Sequence, residues 1–420
     1  MRGNIINDKI LSTRILIATF LFQFLFSGIM AQQAKDWGQH FKISGFVKSN
    51  YWLDTRKVDG SRDDLFLYYP KKPNLDANNE DINTGVNSNY SAINTRLALT
   101  ILGPDLLGAK VNGYIESDYT GVTNTDVNGL RLRHAYILIK WQKNELMLGQ
   151  YWHPMFVPDV FPEVLAFNTG APFQPFIRNP LISYKHHFGN LTLQLALIMQ
   201  RDNSSDGPIG RNSIYMQEAG IPNSHLQLMY KAGNHVVGAA FDHKVIQPMS
   251  VSPANYKTNE LLSSASGMLY WKFQKDLLTL QFKSILGQNL TEHLMLGGYA
   301  VAKRNLFTKV DTYTPTNHLF LWGGAHYGDK YRMSLFVGYA KNLGTSDENI
   351  GVYYAKGSDV EQLFRISPSF CYRTGPLRLA AELELTSAYF GTPDMHGRVK
   401  QTSPVNNTRL LLVAAYMFKN

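Results

Sequence analysis

A chain of 420 residues with 17% charged side chains, 12% aromatics and a mean hydropathy of -0.20 is too polar overall for a polytopic helical membrane protein, while its low charge suits a surface shared between lipid and water. The formal charge of +9 and pI near 9.3 come without a continuous basic tract, which argues against a nucleic-acid partner. The single cysteine, Cys371, excludes an internal disulfide and any zinc site built on cysteines.

The chain opens with Arg2, Lys9 and Arg14 around a basic start, followed by the apolar run ILIATFLFQFLFSGIM at 15–30 and then Ala31 before a polar stretch. That order is a secretory signal, and cleavage is expected after Ala31. The mature chain, residues 32–420, then carries +7 and is expected to be one domain. It contains no apolar run of about 18 residues, so no second spanning helix is expected.

From residue 41 onward the pattern has period two. AKVNGYIESDY (109–119) sets Val111, Gly113, Ile115 and Tyr119 against Lys110, Asn112, Glu116 and Asp118. LRLRHAYILIKW (130–141) sets Leu130, Leu132, Tyr136 and Leu138 against Arg131 and Arg133. LTLQLALIMQ (191–200) sets Leu191, Leu193, Leu195, Leu197 and Met199 against Thr192, Gln194 and Gln200. Such alternation needs one apolar and one polar environment. Strands are expected at 41–53, 93–102, 109–119, 130–141, 145–152, 177–188, 191–202, 222–231, 235–247, 262–273, 277–289, 316–326, 331–342, 361–372, 377–390 and 407–418. Most exceed the soluble average of about 5–6 residues and match the roughly 9–11 that cross a bilayer at a tilt.

The connections alternate. Tight ones fall at 103–108, 141–144, 189–190, 232–234, 274–276, 327–330 and 373–376, and long polar ones at 54–92, 120–129, 153–176, 203–221, 248–261, 290–315, 343–360 and 391–406. Short periplasmic turns with long outer loops, and an even strand count, give an all-β fold: a transmembrane antiparallel β-barrel of about 16 strands. Closing the sheet leaves no unpaired edge in lipid. The last segment, TRLLLVAAYMFKN, puts Leu410, Leu412, Ala414, Tyr416 and Phe418 on one face, as a closing strand would. Tyr51, Trp52, Tyr119, Trp141, Trp152, Trp271, Tyr339 and Phe390 lie near strand ends and fit interfacial girdles. The loop at 54–92, rich in Asp and Asn, reads as partly disordered.

The connection at 153–176 differs: it has five prolines and no Lys or Arg. A stiff loop of low polarity should pack against something, and folding inward would narrow the lumen. It carries Asp159, Glu163 and Phe167. Arg96, Arg131 and Arg133 project inward by parity, Lys110 is expected to join them, and Arg178 starts the following strand with its face blurred by Pro180. Loop carboxylates opposite wall arginines would set up a transverse field that orients solutes and favours anions. The alternative for each arginine is a structural ion pair with Glu116 or Asp118.

The run 131–184 resembles the DcaP-like family of trimeric porins. The resemblance rests on Arg131, Arg133, Ala135, Gly149, Gln150, Trp152, Pro162, Glu163, Phe167, Arg178, Pro180, Ile182 and Tyr184, while His153-Pro154 and Pro158 depart from the family's loop. It implies a sixteen-stranded homotrimer that passes small, often anionic solutes such as dicarboxylates.

No G-x-S-x-G, H-E-x-x-H or P-loop pattern is present, so no enzyme and no cofactor are expected. His186 and His187 are adjacent and point to opposite faces, and His225, His235, His243 and His293 are scattered, so no metal site is expected. Asp347, Glu348, Asp359 and Glu361 lack the order of a calcium loop. The expectation is an outer-membrane porin for small hydrophilic solutes, with outer-membrane lipids as surroundings. The competing reading is a barrel whose outer loops bind a surface partner or polymer and which conducts little.

Overall fold

The structure is a computed structural model that describes residues 40–419; the expected signal peptide and its cleavage point lie outside the described residues. The strands run β1 (Phe41–Arg56), β2 (Val58–Ser61), β3 (Phe66–Pro70), β4 (Thr84–Ser91), β5 (Arg96–Leu106), β6 (Ala109–Asp118), β7 (Arg131–Lys140), β8 (Asn144–Trp152), β9 (Arg178–Phe188), β10 (Leu191–Ile198) and β11 (Asn223–Ala232). They continue with β12 (His235–Ile246), β13 (Leu262–Lys275), β14 (Leu278–Gln288), β15 (Gly297–Arg304), β16 (Asp311–Tyr327), β17 (Tyr331–Thr345), β18 (Tyr353–Lys356), β19 (Val360–Thr374), β20 (Leu377–Pro393) and β21 (Val399–Lys419).

Among the described residues, 16 of these close an antiparallel barrel: β1, β5 to β14, β16, β17 and β19 to β21. Closure runs from Ser44 opposite Lys419 to Asp54 opposite Arg409. On its other edge β1 meets β4 and β5, so β4 extends the line of β5 above a short break. The remaining strands decorate the long connections. β2 and β3 form a hairpin, and β15 pairs with both β16 and β18.

The expected alternation holds along most strands. On β21, Leu410, Leu412, Ala414 and Tyr416 are exposed, while Arg409, Leu411, Val413 and Ala415 are buried. On β10, Leu191, Leu195 and Leu197 are exposed and Ala196 and Ile198 are buried. The exposed rows give the barrel an apolar outer surface, as a lipid solvent requires. Two boundaries differ from expectation. β5 runs on to Leu106 through a register shift at 102–105, and β20 and β21 continue outward to leave only 394–398 between them.

One bulge changes a face assignment. Glu116 lies opposite His134 and Ser117 opposite Leu132, so Arg133 is an extra residue in β7. The bulge reverses parity beyond it. Leu132 stays outward, but Tyr136 turns inward, its ring 5.3 Å from Tyr114, whose hydroxyl donates to Glu116 at 2.9 Å. The expected common face for Leu132, Tyr136 and Leu138 is therefore corrected.

The core lies between the barrel wall and the segments packed against it. Trp52, Met268, Tyr270, Ile285, Phe320, Trp322, Phe336 and Leu411 of the wall pack with Leu65, Phe66 and Tyr68 from the β2–β3 hairpin and with Phe156, Phe167, Phe173 and Phe176 from the 153–176 connection. The segment expected to be partly disordered thus contributes buried aromatics, because the Leu65–Tyr69 stretch is apolar within otherwise polar surroundings. Trp52 and Trp152 also leave the girdle expectation. Trp52 is 1% exposed under Arg409, and Trp152 stacks on Phe156 with ring centroids 4.0 Å apart.

Candidate functional site

The inserted connection starts with a cap. His153 Nδ1 accepts from Met155 N at 3.3 Å, Pro154 opens a single 3-10 turn, and Val157 at φ 51 ends it. Beyond that turn the loop makes little regular structure, so its backbone groups need partners from the wall. They find them around the barrel. Lys283 donates to Phe156 O at 2.7 Å and Gln281 to Phe161 O at 2.9 Å, both from β14. Lys48 on β1 donates to Leu165 O at 3.0 Å, and Arg365 on β19 to Ala171 O at 3.0 Å. Glu382 on β20 accepts from Leu165 N at 2.6 Å and Ala166 N at 3.2 Å. The same Arg365 donates to Tyr68 O of the hairpin at 2.8 Å.

The expected arginine row comes together, but with its own carboxylates. Arg131 grips Asp118 with Nε–Oδ1 3.1 Å and Nη2–Oδ2 2.7 Å. Arg133 reaches Glu116 at 2.6 Å and Asp118 at 2.8 Å, and Arg96 lies 3.5 Å from Glu116. Three cations thus face two anions across β5, β6 and β7. Lys110 does not join them. It shares their face but sits at the short-turn end, exposed and opposite Lys140. Parity gives the side of a strand and not the depth along it.

The loop carboxylates also differ from expectation, since they do not oppose this row. Glu163 binds Arg332 of β17 and Arg373 of β19, both at 2.9 Å, and Asp159 pairs with Lys231 of β11 at 3.0 Å. Phe167 is buried, its ring centroid 6.2 Å from those of Phe66 and Phe176. Arg178 is buried too, with its guanidinium 4.7 Å above the Trp152 ring and its Nη1 without a hydrogen-bond partner.

Two cavities flank the loop. The one on the long-loop side measures about 480 Å³ and is lined by Arg62, Arg131, Arg178, Arg201 and Arg211, with Asp202 as its one carboxylate and Phe167 also in its lining. Arg62 and Arg178 make no ion pair among the described residues, and burial with the nearby Arg131 charge holds the Arg62 guanidinium below its usual value. The cavity on the short-turn side measures about 310 Å³, with Lys48, Arg332, Arg373 and Arg378 against Glu163, and with Leu165 in its lining. Leu165 and Phe167, two positions apart, therefore face different cavities. Arg62, Arg201, Arg211 and the second set of cations were missed in the sequence, because they lie on other loops and strands.

A second cluster escaped the sequence reading. His153, His225, Asp242 and His293 are all buried at one place in the wall, although three of the four were read as scattered or were not singled out.

No protein-family model matches the sequence, and no curated protein sequence does. Solved structures match by shape. The outer membrane channel DcaP of Acinetobacter baumannii superposes with a TM-score of 0.65 at 17% identity, covering 90% of this chain and 97% of that one. An anion-selective porin from Comamonas acidovorans gives 0.51 at 12% identity over 90% and 99% of the two chains. The trimer form of OmpT, an outer membrane protein of Vibrio cholerae, gives 0.53 at 8% identity over 90% and 100%. The resemblance read at 131–184 thus extends, as architecture, over nearly the whole chain: this is the closed sixteen-stranded barrel fold of outer-membrane channels.

Proposed function

We propose that the chain is an outer-membrane porin that lets small hydrophilic solutes diffuse through and favours anionic ones such as carboxylates, as a homotrimer made after signal-peptide removal. The observation that carries the reading is the long-loop cavity, where five arginines meet one carboxylate. Arg131 is spoken for by Asp118, and Arg201 and Arg211 have Asp202 and Asp206 at 3.5 and 3.3 Å. Arg62 and Arg178 remain to attract an anion. A guanidinium stays charged and offers two parallel N–H groups that match a carboxylate. The stack on Trp152 holds Arg178 in place, so little side-chain freedom is lost on binding.

Past Phe167 and Leu165 the anion would meet Lys48, Arg332, Arg373 and Arg378, partly offset by Glu163. A row of weak cationic stations on both sides of a narrow waist favours anion passage without trapping. The waist is the role proposed for the 153–176 loop, with Asp159 and Glu163 anchoring it to the wall. Trimeric assembly is supported by the trimer form of one structural neighbour. The proposed activity is transport, with no catalytic step.

Purified protein in planar bilayers under a salt gradient tests this. Steady single-channel conductance with a reversal potential of anion-selective sign is expected. A silent protein would favour the loop-binding alternative, and a cation-selective channel would refute the arginine cavity as the selectivity element.

A further inference from the structure

The buried cluster at the root of the inserted loop has the donor chemistry of a metal site. His225 and Asp242 are cross-strand partners on β11 and β12, His153 is the residue directly after β8 and caps the first turn of the loop, and His293 lies in the short turn after β14. His153 Nε2 stands 3.6 Å from Asp242 Oδ2, and one ligand atom each of His153, Asp242 and His293 lie within 4.8 Å of one another. The His153 and His293 rings have centroids 4.6 Å apart. No residue of the group is more than 4% exposed.

Hydrogen bonding alone leaves the group incomplete. His293 Nδ1 and the Oδ1 of neighbouring Asn223 have no partner, and Asn223 sits with its amide nitrogen 3.2 Å from His153 Nε2. Buried polar atoms left unpaired are costly to the fold. The same Oδ2 of Asp242 also takes a hydrogen bond from His225 Nδ1 at 3.0 Å, and His225 is held by Gln227, which bonds Tyr270. A carboxylate ligand fixed by a hydrogen bond from outside the ligand set is the usual support of a metal centre.

We infer that His153, Asp242 and His293 form a binding site for one divalent first-row transition ion of the zinc type, with His225 as the residue that positions Asp242. Two imidazoles and one carboxylate suit such ions better than calcium or magnesium, which take oxygen ligands. Bonds of about 2.0–2.1 Å in a tetrahedral site put neighbouring donors roughly 3.3 Å apart, so the trio, with separations of 3.6 Å and up to 4.8 Å, needs closures from roughly 0.3 Å up to about 1.5 Å. Lys244 does not compete, because its ammonium is engaged by Glu292 and the Asn289 carbonyl. Loading has one local cost. An ion on His153 Nε2 leaves the ring proton to Nδ1, and the long bond from Met155 N is given up.

The test uses the full mature barrel in detergent, without an affinity tag, stripped by chelator and then equilibrated with zinc or with cobalt alone. Metal content after desalting, and the visible absorption of bound cobalt, are read together. About one ion per chain is expected, with near-complete loss in His293→Gln and Asp242→Asn, and an affinity lowered about 10–100-fold in His225→Gln. His235→Gln, an exposed histidine elsewhere, should bind as wild type. Wild-type protein that returns from micromolar zinc with no stoichiometric ion overturns the inference, whatever the variants do. So does a folded His293→Gln barrel that keeps its ion. Neither result depends on whether the barrel conducts.

Discussion

Glu382 accepts a hydrogen bond from the backbone of Leu165, 217 positions earlier in the chain, at 2.6 Å, and so ties the middle of the inserted loop to the opposite wall. Its other oxygen accepts from Ala166. Glu382→Ala removes both acceptors and leaves two buried N–H groups, at about 1–3 kcal/mol each. Larger single-channel conductance with more frequent current fluctuations is expected, while the closed barrel survives. Unchanged open-channel current in Glu382→Ala would show that 165–167 does not set the waist.

Arg365 is the common anchor of both inserted segments, since one guanidinium donates to Ala171 O of the loop and to Tyr68 O of the hairpin. Arg365→Met should therefore loosen both at once. Limited proteolysis is expected to cut within 58–70 and 153–176 in the variant and not in the parent protein. Cleavage of one segment alone would separate their anchoring.

Arg133 is expected to matter for stability more than for selectivity. It is fully buried between Glu116 and Asp118, and its removal takes from Glu116 its 2.6 Å partner and from Asp118 one of its two arginines, where the wall has already desolvated both carboxylates. Arg133→Met should destabilise by about 3–5 kcal/mol, read from denaturant-induced unfolding in detergent. Adding Glu116→Gln, which neutralises the carboxylate left with only Arg96 at 3.5 Å while Asp118 keeps Arg131, should recover part of that loss. Failure of the double variant to recover would mean that packing, and not charge balance, is what Arg133 supplies.

Arg178 should behave in the opposite way. It has no ion-pair partner among the described residues, and it faces the long-loop cavity. Arg178→Met keeps the stack on Trp152 in part and removes the charge, so the reversal potential is expected to move toward neutrality with little change in stability. Arg62→Met should add to the shift. If both variants keep the parent reversal potential, anion preference arises on the short-turn side, at Arg332, Arg373 and Arg378.

The sequence by itself determined the barrel. Alternation along each strand and alternation of short and long connections gave the strand number, the closing strand and the inward face of Arg131 and Arg133, because both signals are local: a side chain's face is fixed by its neighbours one and two positions away. What only the tertiary structure decided is who meets whom inside. Glu163 meets Arg332 and Arg373, 169 and 210 positions away, and not the arginines that parity had set facing the lumen. A single extra residue at Arg133 reversed Tyr136, and depth along the strand removed Lys110 from the cluster. The hairpin at 58–70 and the His153, Asp242 and His293 group were invisible for the same reason. Period two records which environment a residue faces, while closure of the sheet decides which distant strand lies across the lumen.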